Sequence, residues 1–257
     1  MPVSPIQALQ AAGHTITLRS TQPNLLIAGA TGVLGNAVMQ RLVGTHRYAH
    51  TLLLAREPMH EGMRTVSLLR VAGDISMWPA PPQICEVAVV MLEPPRMFYE
   101  RERAMWTPDP HHVPEQLLAL ARWLKAADVQ TLAIVLPHAP GTLPEALKQG
   151  LASLNEHAIA SLGFERLIIV RSAQEVSQAK AAHPLQALAN WMMGIVKYMI
   201  PSQEQPVRAS KLSELVDALL QTLPPGIHVI GPQQVSQLCQ MPSDDMVARL
   251  QMQTGLS

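Results

Sequence analysis

Short, continuous apolar runs alternate with segments of helical period along most of the chain. Leu25–Ala28, Thr51–Ala55, Val87–Leu92 (V-A-V-V-M-L), Thr131–Leu136 (T-L-A-I-V-L) and Arg166–Val170 (R-L-I-I-V) have the length of buried strands. Thr65–Val71 is a weaker strand and Ile227–Ile230 a last one. Between them, Ala37–Val43 opens a helix, and Glu115–Ala126 carries Leu117, Leu118, Leu120, Ala121 and Leu124 as a stripe of 3.6-residue period. Leu143–Leu162, Leu185–Ile200 and Leu212–Leu223 are read as further helices. Strands that are apolar throughout are buried on both faces. In alternation with helices they predict an α/β fold with a doubly wound parallel sheet of Rossmann type.

Proline marks the breaks between these elements, because it removes a backbone donor and restrains the residue before it. Clusters fall at Pro79–Pro82, Pro94–Pro95, Pro108–Pro114, Pro137–Pro144 and Pro224–Pro225. No repeat and no shift of composition divides the chain. Residues 23–257 are therefore read as a single domain, with a small, partly helical C-terminal portion on the substrate side. Residues 1–22 are an N-terminal extension in which His14–Arg19 is a candidate edge strand.

Charge and cysteine content narrow the classes of function. The 257 residues include 19 basic and 19 acidic side chains, a formal net charge of zero. That balance argues against a nucleic-acid partner, which demands a basic excess, and against a polybasic membrane contact. Cys85 and Cys239 cannot form a disulfide framework and read as reduced thiols of a cytoplasmic protein. The first dozen residues lack a basic start and an apolar run. Leu185–Ile200 is too short for a membrane span and carries Gln186, Asn190 and Lys197.

The segment with the most chemical content is Asn24–Gly35, N-L-L-I-A-G-A-T-G-V-L-G. It sets Gly29, Gly32 and Gly35 after a strand and before a helix, the context of a dinucleotide site. The first glycine permits a tight turn, the second lets backbone approach a pyrophosphate, and the third lets helix and strand pack closely. The helix N-terminus offers N–H groups and a partial positive charge to the phosphates.

With that spacing, G-A-T-G-V-L-G resembles the short-chain dehydrogenase/reductase superfamily, in particular its atypical, NAD(P)-binding members. The resemblance continues in Gly73-Asp74-Ile75 after the third strand, in Val87–Leu92, in Asn155–Arg171 and in Pro206–Leu220. It implies that the cofactor lies along Gly29, Ala30, Thr31, Gly32, Val33, Leu34 and Gly35. It further implies that Asp74 and Ile75 meet the adenine and that Met91 and Leu92 line the cofactor at the end of the fourth strand.

The second strand bears on which cofactor. An NAD site places Asp or Glu at its end to take the ribose hydroxyls. Here the segment reads L-L-L-A-R-E, with Arg56 in that place. A guanidinium pairs with a 2′-phosphate and stacks on adenine, which favours NADP over NAD. The other reading is an ordinary exposed Arg56 with Glu57 as the ribose acid.

The superfamily's reductases use a tyrosine with a lysine four residues on, and a serine after the fifth strand. This chain departs from that pattern. Tyr48 is followed four residues later by Leu52, Tyr99 by Arg103 and Tyr198 by Ser202. The serine position falls in V-L-P-H-A-P-G, at Pro137 and His138, and Lys148 near the long helix has only Pro144 and Ala152 at the pairing distance. His138, as a proton donor near neutral pH, and Tyr99, in M-F-Y-E-R-E-R, are the substitutes on offer, each also readable as a solvated side chain. His111-His112 lacks the carboxylate–histidine spacing of a metal site. Leu185–Ile200 is apolar enough to roof a substrate pocket, to form a homodimer face, or simply to pack in the core. Three readings follow: an NADP-dependent oxidoreductase acting on a small molecule without the tyrosine–lysine pair, a non-catalytic sensor or scaffold using the same nucleotide site, and a Rossmann domain that binds neither cofactor.

Overall fold

The computed structural model describes residues 22–30, 32–56, 65–92, 113–138, 157–173 and 207–254. Within them lie the strands β1 (Leu25–Ala28), β2 (Thr51–Ala55), β3 (Val66–Arg70), β4 (Val87–Met91), β5 (Thr131–His138), β6 (Arg166–Ala173) and β7 (Gly226–Ile230). All pair in parallel in one sheet of order β3-β2-β1-β4-β5-β6-β7. The seven strands are those expected from the apolar runs, with β5 and β6 continuing two and three residues beyond their expected ends.

Helices cover both faces. On one, α1 (Val33–Gly44), α3 (Ala209–Thr222), α4 (Pro232–Cys239) and α5 (Ser243–Thr254) pack Val38, Leu42, Leu215, Leu219, Val235 and Met246 against Ile27, Val89 and Ile168 of the sheet. On the other, α2 (Val113–Ala126) packs Leu117, Leu120 and Leu124 against Leu26, Ala88 and Ile134. A turn of 3-10 helix, Ile75–Met77, occupies the β3–β4 connection. Trp78 behind it meets Trp123 of α2 edge-to-face at 5.7 Å between ring centres. Side chains of neighbouring strand residues point to opposite faces, so a strand buried on both shows no alternation.

Two boundaries differ from expectation. Helix α1 opens at Val33 rather than Ala37, since Gly32 is its extended N-cap and Asn36 N–H already donates to the Gly32 carbonyl at 2.9 Å. Helices α4 and α5 fall in the C-terminal portion expected to be partly helical, where neither was assigned by its own pattern. Helix α4 buries Val235, Leu238 and Cys239 but has only eight residues, and α5 buries Met246 and Leu250 in an otherwise polar segment, so neither gives a long periodic pattern. Their start signals are visible in retrospect as Gly231-Pro232 and as the acidic first-turn pair Asp244-Asp245. Of the helix expected over Leu143–Leu162 only its end is described, as a helical stretch at 157–160 followed by Gly163 at φ +73°. Leu185–Ile200 and residues 1–21 lie outside the described residues.

Helix α3 joins its layer through polar contacts as well. Glu214 accepts from Lys211 at 2.6 Å and from Ser243, the first residue of α5, at 2.8 Å. The Lys211 hydrogen bond, opposed by burial, holds the Glu214 carboxyl below its ordinary range. Arg166 Nη1 donates to the Leu220 carbonyl at 2.8 Å and ties β6 to the same helix.

Both cysteines are buried and free. Burial first, with the charge of Glu86, pushes the Cys85 thiol up to about 11, and burial pushes Cys239 up to about 12. Both thiols are therefore neutral at pH 7 and closed to reagents. A thiol-titrating disulfide such as DTNB is expected to react with neither in the native protein and with both after denaturation. The unfolded chain loses these protons near pH 9, before the folded one does. Stability attributable to them is thus present below pH 9 and falls as the pH rises toward 11 or 12. Rapid native labelling at pH 7 would contradict this burial.

Candidate functional site

The sheet's topological switch lies between β1 and β4. Ala28 is paired with Val90, so Gly29 leaves the sheet beside Met91. From there β1 leads into α1 on one face, and α2, which follows β4 in the chain, packs on the other. Ligands of open α/β sheets bind in the crevice outside the C-terminal ends of the strands at such a point.

The glycine turn stands at this point, with Gly29 in a tight turn and Gly35 at a close packing contact. Gly29 has φ +86°, a conformation that side chains disfavour. Gly32 is the N-cap of α1 and gives it no side-chain bond, and no acidic residue occupies the first helical turn. The first turn itself therefore brings no anionic side chain to the positive end of the helix dipole. Gly35 is buried, and a Cβ placed on it would lie 2.0 Å from the Gly29 carbonyl oxygen and 2.8 Å from the Ala30 Cα. Strand, turn and helix thus meet at backbone contact. Ala30 is buried, Val33 is 55% exposed, and Leu34 is partly buried against the core. Thr31 lies outside the described residues.

Arg56 follows the last residue of β2, one place past the Ala55–Arg70 pair. It is half-buried, and its buried Nε has no hydrogen-bond partner among the described residues. Leaving a buried guanidinium donor unpaired is costly, and an incoming anion relieves that cost. Glu57, the competing ribose acid, falls outside the described residues.

After β3, Gly73 turns the chain at φ +68°, and the Asp74 carboxylate accepts from Ser76 N–H at 3.1 Å as the N-cap of the 3-10 turn. Asp74 is exposed, whereas the Ile75 side chain packs in the core with Val71 and Trp78. Met77, on the same turn, is a large apolar side chain left in solvent, a feature the sequence reading did not single out. Met91 and Leu92 are buried at the end of β4, with Leu92 N–H donating to the Val135 carbonyl at 3.0 Å.

The catalytic candidates are not gathered in this way. β5 and β6 project three residue pairs past the Met91–Val135 pair, ending at His138 opposite Ala173 at the C-terminal edge of the sheet. Tyr99, Lys148, Tyr198 and the His111-His112 pair lie outside the described residues. Tyr48 sits at the opposite edge of the sheet, in the α1–β2 loop. Its phenol is raised by burial, against the lowering influence of Arg47 and Arg166. An open hollow of about 360 Å³ also lies at that far edge, lined by Gln22, Glu86, Gln130, Glu165 and Arg166 among others. These residues stand at the N-terminal ends of β1, β4, β5 and β6, away from the glycine turn. Among the described residues no three metal-ligating side chains come together, and no helix is long and apolar enough to cross a membrane.

By sequence the chain matches no family model and no curated protein. Its fold does match solved structures. A nucleoside-diphosphate-sugar epimerase from Staphylococcus aureus is similar with a TM-score of 0.50 at 14% identity, over 80% of this chain and 70% of that one. The protein gox2253 is similar with a TM-score of 0.50 at 16% identity, over 86% of this chain and 76% of that one. The doubly wound Rossmann-type fold is thus shared with these proteins.

Proposed function

We propose that the protein is an NADP(H)-binding member of the atypical short-chain dehydrogenase/reductase group. The pyrophosphate lies on the Gly29–Gly35 turn, and the 2′-phosphate is held by Arg56. The observation that carries this reading is the backbone contact of Gly35 with Gly29, which seats the N-terminus of α1 close against the end of β1 at the switch point. Arg56 supports the phosphorylated cofactor, because a buried, unpartnered guanidinium donor waits at the place an NAD site gives to a carboxylate. The fold likeness to a nucleoside-diphosphate-sugar epimerase agrees with a nucleotide ligand.

NADPH would supply hydride to a small-molecule substrate in the crevice. With no Tyr-x-x-x-Lys in the chain, a different side chain must hold the proton, and His138 at the end of β5 is the candidate in the described sheet. The missing pair equally favours a second reading, a cofactor sensor or scaffold that binds NADP(H) without turnover. Both readings take the protein as cytoplasmic, and a homodimer built on Leu185–Ile200 belongs to the same proposal.

Titration with NADPH and NADH, followed by calorimetry or nicotinamide fluorescence, tests the nucleotide assignment. NADPH is expected to bind more tightly. Arg56→Ala should weaken NADPH by about 10- to 100-fold, as befits one charge-assisted contact, and leave NADH nearly unchanged. Equal loss for both cofactors would assign Arg56 to the adenine instead. Absence of binding at millimolar concentration would sink the reading. Turnover of bound NADPH against a panel of carbonyl compounds separates enzyme from sensor.

A further inference from the structure

One buried charge is not used by the nucleotide site as described. Asp217 of α3 is 1% exposed, and its Oδ2 lies 3.0 Å from Arg41 Nε in the last turn of α1. Its Oδ1 pairs with Arg47, three residues past the end of that helix. The two arginines are 44% and 34% exposed, so they reach inward from the surface to a carboxylate that water does not reach.

Stability alone accounts poorly for this arrangement. Apolar side chains of similar volume serve a buried site as well as an ion pair or better. What the carboxylate adds is direction. Val38, Met39 and Leu42 pack α1 into its layer by apolar contact, and the Asp217 pairs add directional contacts between charged groups. At its start α1 has no slack, since Gly35 touches the Gly29 carbonyl. About 9 Å further along, at 1.5 Å per residue, the Asp217 contacts define its other end.

We propose that Asp217 is a positioning residue for the nucleotide site. With the start of α1 held at the Gly35–Gly29 contact, it fixes through Arg41 and Arg47 the tilt and rotation of the helix about that point, and so the direction in which the first turn faces a pyrophosphate. This rests on the nucleotide reading above, and it makes α3 a part of the cofactor-binding apparatus without touching the cofactor.

The test compares two ligands, NADPH and adenosine 2′-monophosphate, which keeps the adenine and 2′-phosphate but lacks the pyrophosphate. In Asp217→Asn the NADPH dissociation constant should rise by about 2- to 30-fold while that of the monophosphate stays at its wild-type value. A second variant, Arg41→Met/Arg47→Met/Asp217→Leu, replaces the triad by apolar groups. It should keep its thermal stability and still lose NADPH affinity, and restoring all three residues should recover it. If a folded variant binds NADPH as wild type does, or if both ligands weaken equally, the positioning role is overturned. If the wild-type protein binds neither ligand, the nucleotide reading itself fails and takes this inference with it.

Discussion

Gly35→Ala should abolish nucleotide binding and destabilise the fold, although it adds a single methyl group. The added carbon would stand 2.0 Å from the Gly29 carbonyl oxygen and within 3 Å of the Ala30 Cα. These are backbone atoms of a strand-to-helix turn and cannot swing aside as a side-chain terminus would. Overpacking of a well-filled site costs about 1–3 kcal/mol where side chains can adjust, so about 3 kcal/mol or more is expected here. Relief of the clash requires α1 to back away from β1, which carries its N-terminal N–H groups off the phosphate position. Gly44→Ala, in the last residue of the same helix, is the control, because a Cβ there meets nothing within 4 Å. That change should be neutral or stabilising by up to about 1 kcal/mol and leave NADPH binding intact. Urea unfolding with parallel NADPH titration reads both effects. A Gly35→Ala protein that binds normally would mean that the turn is not the cradle.

Physical locality explains which of these features could be read from the chain itself. Strands such as β5, buried on both faces, betray themselves by continuous apolar runs, and the glycine turn is legible because each glycine answers to backbone within six residues of it. Helix α1 began earlier than its apolar period because its start is set by the Gly32 cap. Helices α4 and α5 stayed hidden because α4 is too short and α5 too polar to show a long period, and contact with the α3 layer stabilises both. At the site, Asp74 and Ile75 occur in the expected order after β3, yet local chemistry divides them: the carboxylate caps a 3-10 turn and the isoleucine fills the core. The unpaired Nε of Arg56 depends on packing around the end of β2, which no motif encodes. Asp217 is the extreme case. Its Arg41 partner is 176 residues away, and in sequence it is one polar residue on an amphipathic helix.

The same carboxylate carries the second large effect. Arg41→Ala/Arg47→Ala should lower stability by about 3–5 kcal/mol, because it leaves Asp217 buried with neither cation, the situation in which a broken buried pair is most costly. For a chain of this length that corresponds to a fall in Tm of roughly 6–20 °C. Either single substitution should cost much less than half, since the remaining arginine still pairs with one carboxylate oxygen, and the sum of the singles should fall short of the double. Lys211→Met sets the scale from the other side. It breaks the Lys211–Glu214 pair on the same helix, but Glu214 keeps Ser243 and stands partly in water, so a loss below about 1 kcal/mol is expected. Denaturant unfolding of the four variants, analysed for midpoint and slope together, separates these cases. Additive singles would show that each arginine acts alone. A double variant within 1 kcal/mol of wild type would show that water reaches Asp217 once the arginines are gone, and the carboxylate could not then fix the end of α1.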